Sequence, residues 1–277
     1  MKKLKVSNKI YEYFQKKYGF GDLGVILAVS ANSVWVKNNK LGLSLTIISP
    51  KGHFKSSIME EVASMFNVLY IRGLVTEYGI EREYRASIEG KCVPVFIDDI
   101  EDTIRGMQRR RVVGILGFLK GLIDGKGQIT VRDRTIILKP KKFAIVLNVP
   151  DYLLYKSTGV LQNMFTSTFF DRTLPVKYSM DWEKWKEMYD KGKLKDIDPP
   201  KVKRYKKEKV VKFPRKFRKE ISDIALKLMN LKFSGLPRNI ELLKAFLAGN
   251  ALLNKRNKVY KEDIELFLKF IKYIRWY

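Results

Sequence analysis

The sequence is poor in the two side chains that most often hold metals, because its 277 residues include one cysteine, Cys92, and one histidine, His53. A single cysteine forms no disulfide within the chain, and the pair cannot supply the four ligands of an ordinary structural zinc site. Long apolar runs are also lacking: residues 25–36 are interrupted by serine and asparagine and fall short of the about 20 residues that cross a bilayer. These absences favour a reducing, cytoplasmic setting and no membrane partner.

Acidic residues are scarce relative to basic ones. There are 55 Lys and Arg against 29 Asp and Glu, a net charge of +26, which favours a polyanionic partner and nucleic acid first. Residues 201–219 contain eleven basic residues and one acid, Glu208, so this segment alone carries +10. The segment follows two prolines and has no apolar period, which predicts an extended linker or surface arm. It is either a solvated connector or a contact for phosphate groups.

Short apolar runs alternate with helical patterns before this segment, and only helical patterns follow it. Strands are predicted at residues 43–48, 68–75, 93–97 and 143–147, with helices at 56–66 and 103–124 between them. Three further helices are predicted at 221–231, 239–253 and 261–273. The alternation indicates an α/β fold with a parallel sheet covered on both faces, followed by a small helical domain.

Residues 49–56 match the spacing of the phosphate-loop pattern G-x-x-x-x-G-K-[ST], with Ser49 and Phe54 at its two glycine positions. In such a loop the lysine reaches the β- and γ-phosphates and the hydroxyl residue binds Mg²⁺, roles that fall on Lys55 and Ser56. An ordinary strand-to-helix turn with a surface lysine is the alternative. The predicted nucleotide-binding residues of the loop are Pro50, Lys51, Gly52, His53, Phe54, Lys55, Ser56 and Ser57.

Polar side chains end two of the later predicted strands. Asp98 and Asp99 follow an apolar run, where the first could hold Mg²⁺ and the second could polarise an attacking water. Helix capping is the alternative for both. Asn148 ends the next apolar run, where its amide could orient the same water, or where it could simply form a turn.

The order of these motifs resembles that of the AAA+ ATPases, over residues 41–274. Lys55 and Ser56 resemble Walker A, Asp98 and Asp99 resemble Walker B, and Asn148 resembles sensor 1. Arg172 then resembles an arginine finger and Arg238 resembles sensor 2. The resemblance implies ATP and Mg²⁺ as ligands and an ATPase activity. It also implies a P-loop AAA+ core at 41–180 after a short extension at 1–40, a basic linker at 181–215 and a helical lid at 216–277.

Residues 116–140 predict a helix followed by a hairpin with Arg132, Asp133 and Arg134 at its turn. This segment resembles the pre-sensor 1 hairpin of the clade that contains the MCM helicases and the MoxR ATPases, whose lids residues 236–263 also resemble. The likeness to MCM implies a homo-oligomer, a hexameric ring, in which Arg132 and Arg134 contact DNA. A solvated hairpin tip is the alternative.

The expected function is therefore an MCM-like, ATP-dependent nucleic-acid motor whose sites lie between subunits, with Arg172 supplied by the neighbour and Arg238 reporting the γ-phosphate to the lid. A MoxR-type protein remodeller and a weakly catalytic initiator or scaffold are the alternatives. Asp99 stands where the family has a glutamate, and Arg172 follows its aspartate instead of preceding it. The shorter side chain of Asp99 predicts slow hydrolysis, whereas the position of Arg172 bears on which residue is the arginine finger.

Overall fold

A computed structural model of the chain describes residues 5–73, 75–98, 100, 109–131, 134–152, 169, 171–231 and 235–274. Nine α-helices lie within these residues: α1 (Val6–Tyr18), α2 (Gly21–Ser33), α3 (Lys55–Phe66), α4 (Glu77–Ile88), α5 (Arg109–Ile123), α6 (Trp182–Asp190), α7 (Arg218–Leu231), α8 (Leu236–Leu253) and α9 (Lys261–Phe270). The strands within them are β1 (Leu45–Ser49), β2 (Leu69–Arg72), β3 (Cys92–Asp98), β4 (Gly127–Val131), β5 (Arg134–Leu138), β6 (Lys142–Pro150) and β7 (Leu174–Lys177).

Five of the strands form a parallel sheet in the order β2-β3-β6-β1-β7. The predicted α/β fold with a parallel sheet is confirmed. Because β6 lies between β1 and β3, the carboxyl ends of these three strands meet at one edge of the sheet. β7 was not among the predicted strands; it is four residues long and includes Pro175, which an edge strand tolerates.

Apolar residues from both faces of this sheet are buried. Ile47 and Phe96 face a core built with α2 and α3, whereas Ile48 and Ile97 face a second core built with α4 and α5. This two-sided burial explains why the strands read as continuous apolar runs in the sequence.

The region predicted as a short N-terminal extension contributes a central helix. α2 is mostly apolar, is buried at every position except Asp22, and lies between the sheet and α8. Gly249 of α8 lies so close to it that an added Cβ would stand 2.7 Å from the backbone oxygen of Val29. α8 therefore packs directly on α2.

The predicted hairpin is confirmed as β4 and β5, which pair antiparallel from Gly127 with Leu138 to Val131 with Arg134. The two residues at its turn, Arg132 and Asp133, lie outside the described residues. Residues 103–108, where the preceding helix was predicted to begin, lie outside them too.

The first part of the predicted linker at 181–215 is helical, which the sequence did not indicate. Asp181 caps α6 by accepting a hydrogen bond from the backbone N–H of Lys184, 3.0 Å away. Four large side chains at helical spacing, Trp182, Trp185, Met188 and Tyr189, give this helix an apolar side that the overall basic composition obscured. After α6 the chain forms no further helix or strand until a 3₁₀ turn, Arg215–Phe217, leads into α7.

Candidate functional site

The loop between β1 and α3 carries the motif with phosphate-loop spacing. Gly52 has φ +80°, in the left-handed region that favours glycine, although an added Cβ would meet no atom within 4 Å. α3 then begins at Lys55. Its first backbone N–H groups have no partner within the helix and lie at the positive end of its dipole. The loop and the helix together offer a backbone site for a phosphate group.

Phe54 occupies the position of the second glycine in the phosphate-loop pattern. Its backbone is left-handed, with φ 55° and ψ 12°, which costs a non-glycine residue about 1–2 kcal/mol. The ring packs against those of Tyr18, Trp182 and Trp185, at centroid distances of 5.6, 6.1 and 5.9 Å. This aromatic packing offsets the backbone cost. The loop therefore keeps a conformation suited to glycine although the glycine is absent.

Lys55 is buried at the first position of α3, with 6% of its surface exposed. Its Nζ donates hydrogen bonds to the backbone oxygens of Ser49 and Pro50, at 3.1 and 3.0 Å. These bonds hold the ammonium group over the start of the loop. A charged phosphate oxygen is a stronger partner for an ammonium group than a neutral carbonyl. The side chain is therefore well positioned to exchange these carbonyls for a phosphate group in the loop.

Asp98 ends β3 as a buried carboxylate that accepts three side-chain hydrogen bonds. Ser56 Oγ and Asn148 Nδ2 donate to its Oδ1, at 2.9 and 2.7 Å. The hydroxyl of Tyr70 donates to its Oδ2, at 2.9 Å. The structure thus brings together three of the predicted site residues, Ser56, Asp98 and Asn148, at the carboxyl edge of the sheet.

The amide of Asn148 has an unused acceptor. A carboxylate only accepts hydrogen bonds, so the NH₂ group of Asn148 faces Asp98 and its Oδ1 points elsewhere. That Oδ1 is buried and has no hydrogen-bond partner among the described residues. Buried polar atoms are nearly always paired, so an orphaned acceptor beside a phosphate loop is suited to a bound water or ligand.

A cleft of about 400 Å³ joins the loop to Asn148. It is lined by Lys51, Gly52, His53, Phe54, Lys55, Ser56, Ser57, Asn148 and Pro150. Seven of the eight loop residues predicted to bind nucleotide line it, and the exception is Pro50. Two larger clefts, of about 650 and 520 Å³, lie elsewhere on the molecule. We assign the site to the smaller cleft because a phosphate-binding backbone, a lysine and a hydroxyl–carboxylate pair converge there.

His53 is held as a neutral ring at the edge of this cleft. The backbone N–H of Met180 donates to its Nδ1 at 2.8 Å, so that nitrogen cannot carry a proton. Burial, and next the nearby ammonium group of Lys55, lower the pKa of His53. Its ring stands edge-to-face with that of Trp182, with centroids 5.3 Å apart. His53 thereby ties the loop to the segment that follows β7.

The two predicted arginines, Arg172 and Arg238, lie together but do not line the cleft. Arg172 Nε donates to Oδ2 of Asp124 at 3.2 Å, and a terminal nitrogen of Arg238 lies 3.1 Å from Oδ1 of the same carboxylate. Arg172 also pairs with Asp171. Asp124, which follows α5, therefore links Arg172, just before β7, to Arg238, at the start of α8.

Of the two arginines predicted to contact DNA, the structure describes Arg134. It forms an ion pair with Glu81, 2.9 Å away, and its guanidinium carbon lies 5.9 Å from the centroid of the Tyr78 ring. Arg134 is still largely exposed, with 63% of its side chain accessible. Arg132, and the predicted catalytic Asp99, lie outside the described residues.

The oxygen groups at the site suit Mg²⁺. Ser56 and Asp98 contribute a hydroxyl and a carboxylate in direct contact, and Mg²⁺ in phosphate-binding sites commonly takes few protein oxygens together with phosphate and water. No group of three or more His, Cys, Asp or Glu suited to a metal occurs in the part of the chain that the structure describes. The site thus fits an ion shared with a phosphate ligand better than one held by protein groups alone.

The sequence did not indicate two polar residues that contact the predicted site residues. Tyr70 contacts Asp98, and Asp124 contacts Arg172 and Arg238. Tyr70 lies on β2, which the sequence marks only as an apolar run, and reaches Asp98 because β2 pairs with β3. Burial, together with the Asp98 carboxylate, raises the pKa of Tyr70, so its hydroxyl stays a hydrogen-bond donor. Nothing in the local sequence separates Asp124 from a residue that ends a helix before a glycine.

No family model matches the chain, and no curated protein matches it. Among the helices that the structure describes, none is both long enough and apolar enough to span a membrane.

Proposed function

We propose that the chain is an AAA+-like ATPase that binds Mg-ATP in the cleft between the β1–α3 loop and Asn148. It uses the hydrolysis of ATP to move or open nucleic acid. The observation that carries this proposal is the contact of Asp98 with both Ser56 and Asn148, beside a left-handed loop that leads into a helix. The three residues lie in separate segments of the chain and converge only because β6 lies between β1 and β3. An ordinary strand-to-helix turn would need no such convergence.

Each residue of the cleft has a role in this proposal. The backbone of the loop and the start of α3 bind the β-phosphate, and Lys55 binds the β- and γ-phosphate oxygens. Ser56 and Asp98 would hold Mg²⁺, which neutralises charge on those oxygens when bound. The hydroxyl of Tyr70 fixes the carboxylate of Asp98 in place for this task.

Hydrolysis needs a positioned water and a stabilised leaving group. Asp99 accepts a proton from the water as its oxygen bonds to the γ-phosphorus and the bond to the β–γ bridging oxygen breaks. The Oδ1 of Asn148 accepts a hydrogen bond from the same water, which satisfies its buried acceptor. Because Asp99 has a shorter side chain than glutamate, we expect turnover at the slow end of the about 1–10³ s⁻¹ typical of enzymes.

Arg172 and Arg238 act outside the cleft of their own chain in this proposal. Both guanidinium groups contact Asp124 and neither lines the cleft. In a ring of the hexameric kind that the resemblance implies, the arginine finger therefore comes from a neighbouring copy. We propose that Arg172 leaves Asp124 for the γ-phosphate of the adjacent subunit, where it stabilises the charge that develops during transfer. Arg238 would couple the same event to the helical lid.

The excess of positive charge favours nucleic acid over a protein as the substrate of this motor. A protein remodeller of the MoxR type would need no such charge. The preserved loop conformation at Phe54 also argues against a chain that cannot bind nucleotide. The nucleic-acid motor is therefore the function that these observations support best.

ATP turnover, measured with and without added DNA, tests this function. We expect Mg-ATP hydrolysis that DNA stimulates, and an Asp99→Asn variant that binds ATP but does not turn it over. The matched control is Asp223→Asn, which neutralises an exposed carboxylate of α7 and should leave turnover unchanged. Stimulation by a protein partner but not by DNA would support the remodeller, and undiminished hydrolysis by Asp99→Asn would remove Asp99 from the catalytic site.

A further inference from the structure

The basic segment at residues 201–219 is fixed to the body of the protein through its backbone. Lys209 accepts a hydrogen bond from the N–H of Lys37 at 2.8 Å and donates its own N–H to the oxygen of Trp35 at 2.7 Å. Lys212 likewise bonds to the oxygen of Asn257 at 2.8 Å and to the N–H of Val259 at 3.0 Å. The segment therefore runs between two loops, one before β1 and one between α8 and α9.

Side chains add further anchors along the same segment. Val211 is fully buried, and its backbone exchanges two hydrogen bonds with the amide of Asn38, at 2.8 and 3.0 Å. The guanidinium group of Arg204 donates to the backbone oxygens at the end of α3, and the hydroxyl of Tyr205 donates to the oxygen of Leu252 at 2.8 Å. A passive connector needs no such set of attachments.

The positive charges of this segment are carried by exposed residues and are not neutralised by carboxylates of the segment. All eleven Lys and Arg residues are exposed, and in the described parts of the chain none of them forms an ion pair with a carboxylate. The single acid, Glu208, pairs instead with Lys141 and Lys142, at 2.6 and 3.1 Å. Lys37 and Lys258, on the two flanking loops, add two more exposed cations beside Lys209 and Lys212.

We infer that residues 201–219, with Lys37 and Lys258, form a basic ridge that binds the phosphate backbone of nucleic acid. Holding this many like charges together costs folding free energy, which a polyanion repays on binding. The fixed backbone lowers the entropic cost of that binding, because the path of the charges is already set. Contacts to phosphates need positive charge and no base recognition, which is what the ridge offers.

The composition of the ridge favours nucleic acid over a protein or a membrane. Protein interfaces depend on buried aromatic and apolar anchors, and membrane-surface segments depend on an apolar face. Among the large apolar side chains of residues 201–219, only Val210 is markedly exposed, at 52%. The ridge is separate from the hairpin, whose Arg134 is already paired with Glu81, and its binding requires no ATP hydrolysis.

Binding of a short fluorescent DNA duplex of arbitrary sequence, measured by anisotropy without nucleotide, tests this inference. The ridge variant combines Lys206→Gln, Lys207→Gln and Lys209→Gln. The matched control, Lys9→Gln, Lys227→Gln and Lys269→Gln, removes the same charge from exposed positions on α1, α7 and α9. Both variants are first compared with the natural chain by thermal unfolding, so that a folding defect is recognised.

We expect the ridge variant to bind at least about tenfold more weakly between about 50 and 200 mM salt, with a salt slope reduced by up to about 0.9 for each phosphate that it no longer binds. The DNA affinity of the control should stay within about twofold of that of the natural chain, and its salt slope should be unchanged. Equal weakening of both variants, or an unchanged slope in the ridge variant, would overturn the inference. So would binding of phosphatidylserine vesicles that depends on the three ridge lysines while DNA is not bound. Because no nucleotide is present, failure here is distinct from failure of the ATPase proposal.

Discussion

Phe54 combines a strained backbone with a packed ring, and two substitutions separate these effects. Phe54→Ala removes the ring and leaves a β-carbon in the left-handed region, whereas Phe54→Gly removes the ring and also the strain. We expect both variants to be less stable than the natural chain and the glycine variant to be more stable than the alanine variant by about 1 kcal/mol. Denaturant unfolding measures the difference. An alanine variant as stable as the glycine variant would show that the backbone at this position is not strained.

His53 predicts a pH dependence of stability that can be attributed to one residue, because the chain has no other histidine. Its pKa is lowered below 6.5 in the folded protein, so the unfolded chain takes up a proton more readily. The stabilising effect of the neutral ring is present above pH 6.5 and is lost as the pH falls below it, by at most about 1.4 kcal/mol per pH unit.

Denaturant unfolding between about pH 5 and 7.5 checks this, in a range where few other side chains titrate. His53→Gln is the comparison, since its side-chain oxygen can still accept from Met180 without titrating. The natural chain should lose stability relative to this variant as the pH is lowered. Parallel curves for the two proteins would contradict the assignment of a neutral, buried ring.

At the level of residues, the sequence predicted Ser56, Asp98 and Asn148 as parts of one site, each following or ending an apolar run. The structure brings them into contact because the carboxyl ends of parallel strands share one edge of the sheet. The sequence did not predict Tyr70 or Asp124. Their contacts depend on the order of the strands and on the packing of separate segments, and neither property is encoded in local spacing.

The contact between α8 and α2 depends on the absence of a side chain at Gly249. Gly249→Ala would bring its Cβ to 2.7 Å from the backbone oxygen of Val29 and 3.2 Å from the Cβ of Ser33. We expect it to lower the free energy of unfolding by about 1–3 kcal/mol. Gly117→Ala, on α5, is the control, because its Cβ would meet no atom within 4 Å. That variant should be neutral or up to about 1 kcal/mol more stable. Equal effects of the two changes on thermal unfolding would show that the two helices are not closely packed.

Elements with a strong local pattern were predicted well, and elements defined by their neighbours were not. The four predicted strands and the hairpin occur because β-branched runs bounded by turn residues leave few alternatives. α2 was missed because a helix buried on all sides has no amphipathic period. β7 was missed because a four-residue edge strand containing proline has almost no pattern of its own.

On the scale of the whole molecule, we propose that sites are shared between copies of the chain. The joint contact of Arg172 and Arg238 with Asp124 motivates this proposal, because these arginines do not line their own cleft. Lys55→Ala and Arg172→Ala should each abolish turnover alone. A mixture of the two variants should recover part of it, since an intact cleft from one subunit can meet an intact Arg172 from the other.

Steady-state ATPase assays of the two variants and their mixture measure this recovery, at protein concentrations where assembly is complete. A mixture of Lys55→Ala with Asp99→Asn serves as the control, because both changes impair the same cleft and neither restores the other. A mixture of Lys55→Ala and Arg172→Ala as inactive as its parts would contradict the sharing of sites.

Of the properties of the whole molecule, the net charge follows directly from the sequence. The fixed path of the backbone at residues 201–219 is seen only in the structure.

The most direct test of nucleotide binding in the cleft is a calorimetric titration of Mg-ATP into the natural chain and into Lys55→Ala. We expect the natural chain to bind one nucleotide per subunit and the variant to bind at least about 100-fold more weakly, which corresponds to about 2.7 kcal/mol. Lys9→Ala, an exposed change on α1 that removes the same charge, should bind as the natural chain does. Mg-ATP binding of equal affinity by the natural chain and Lys55→Ala would contradict the assignment of the cleft.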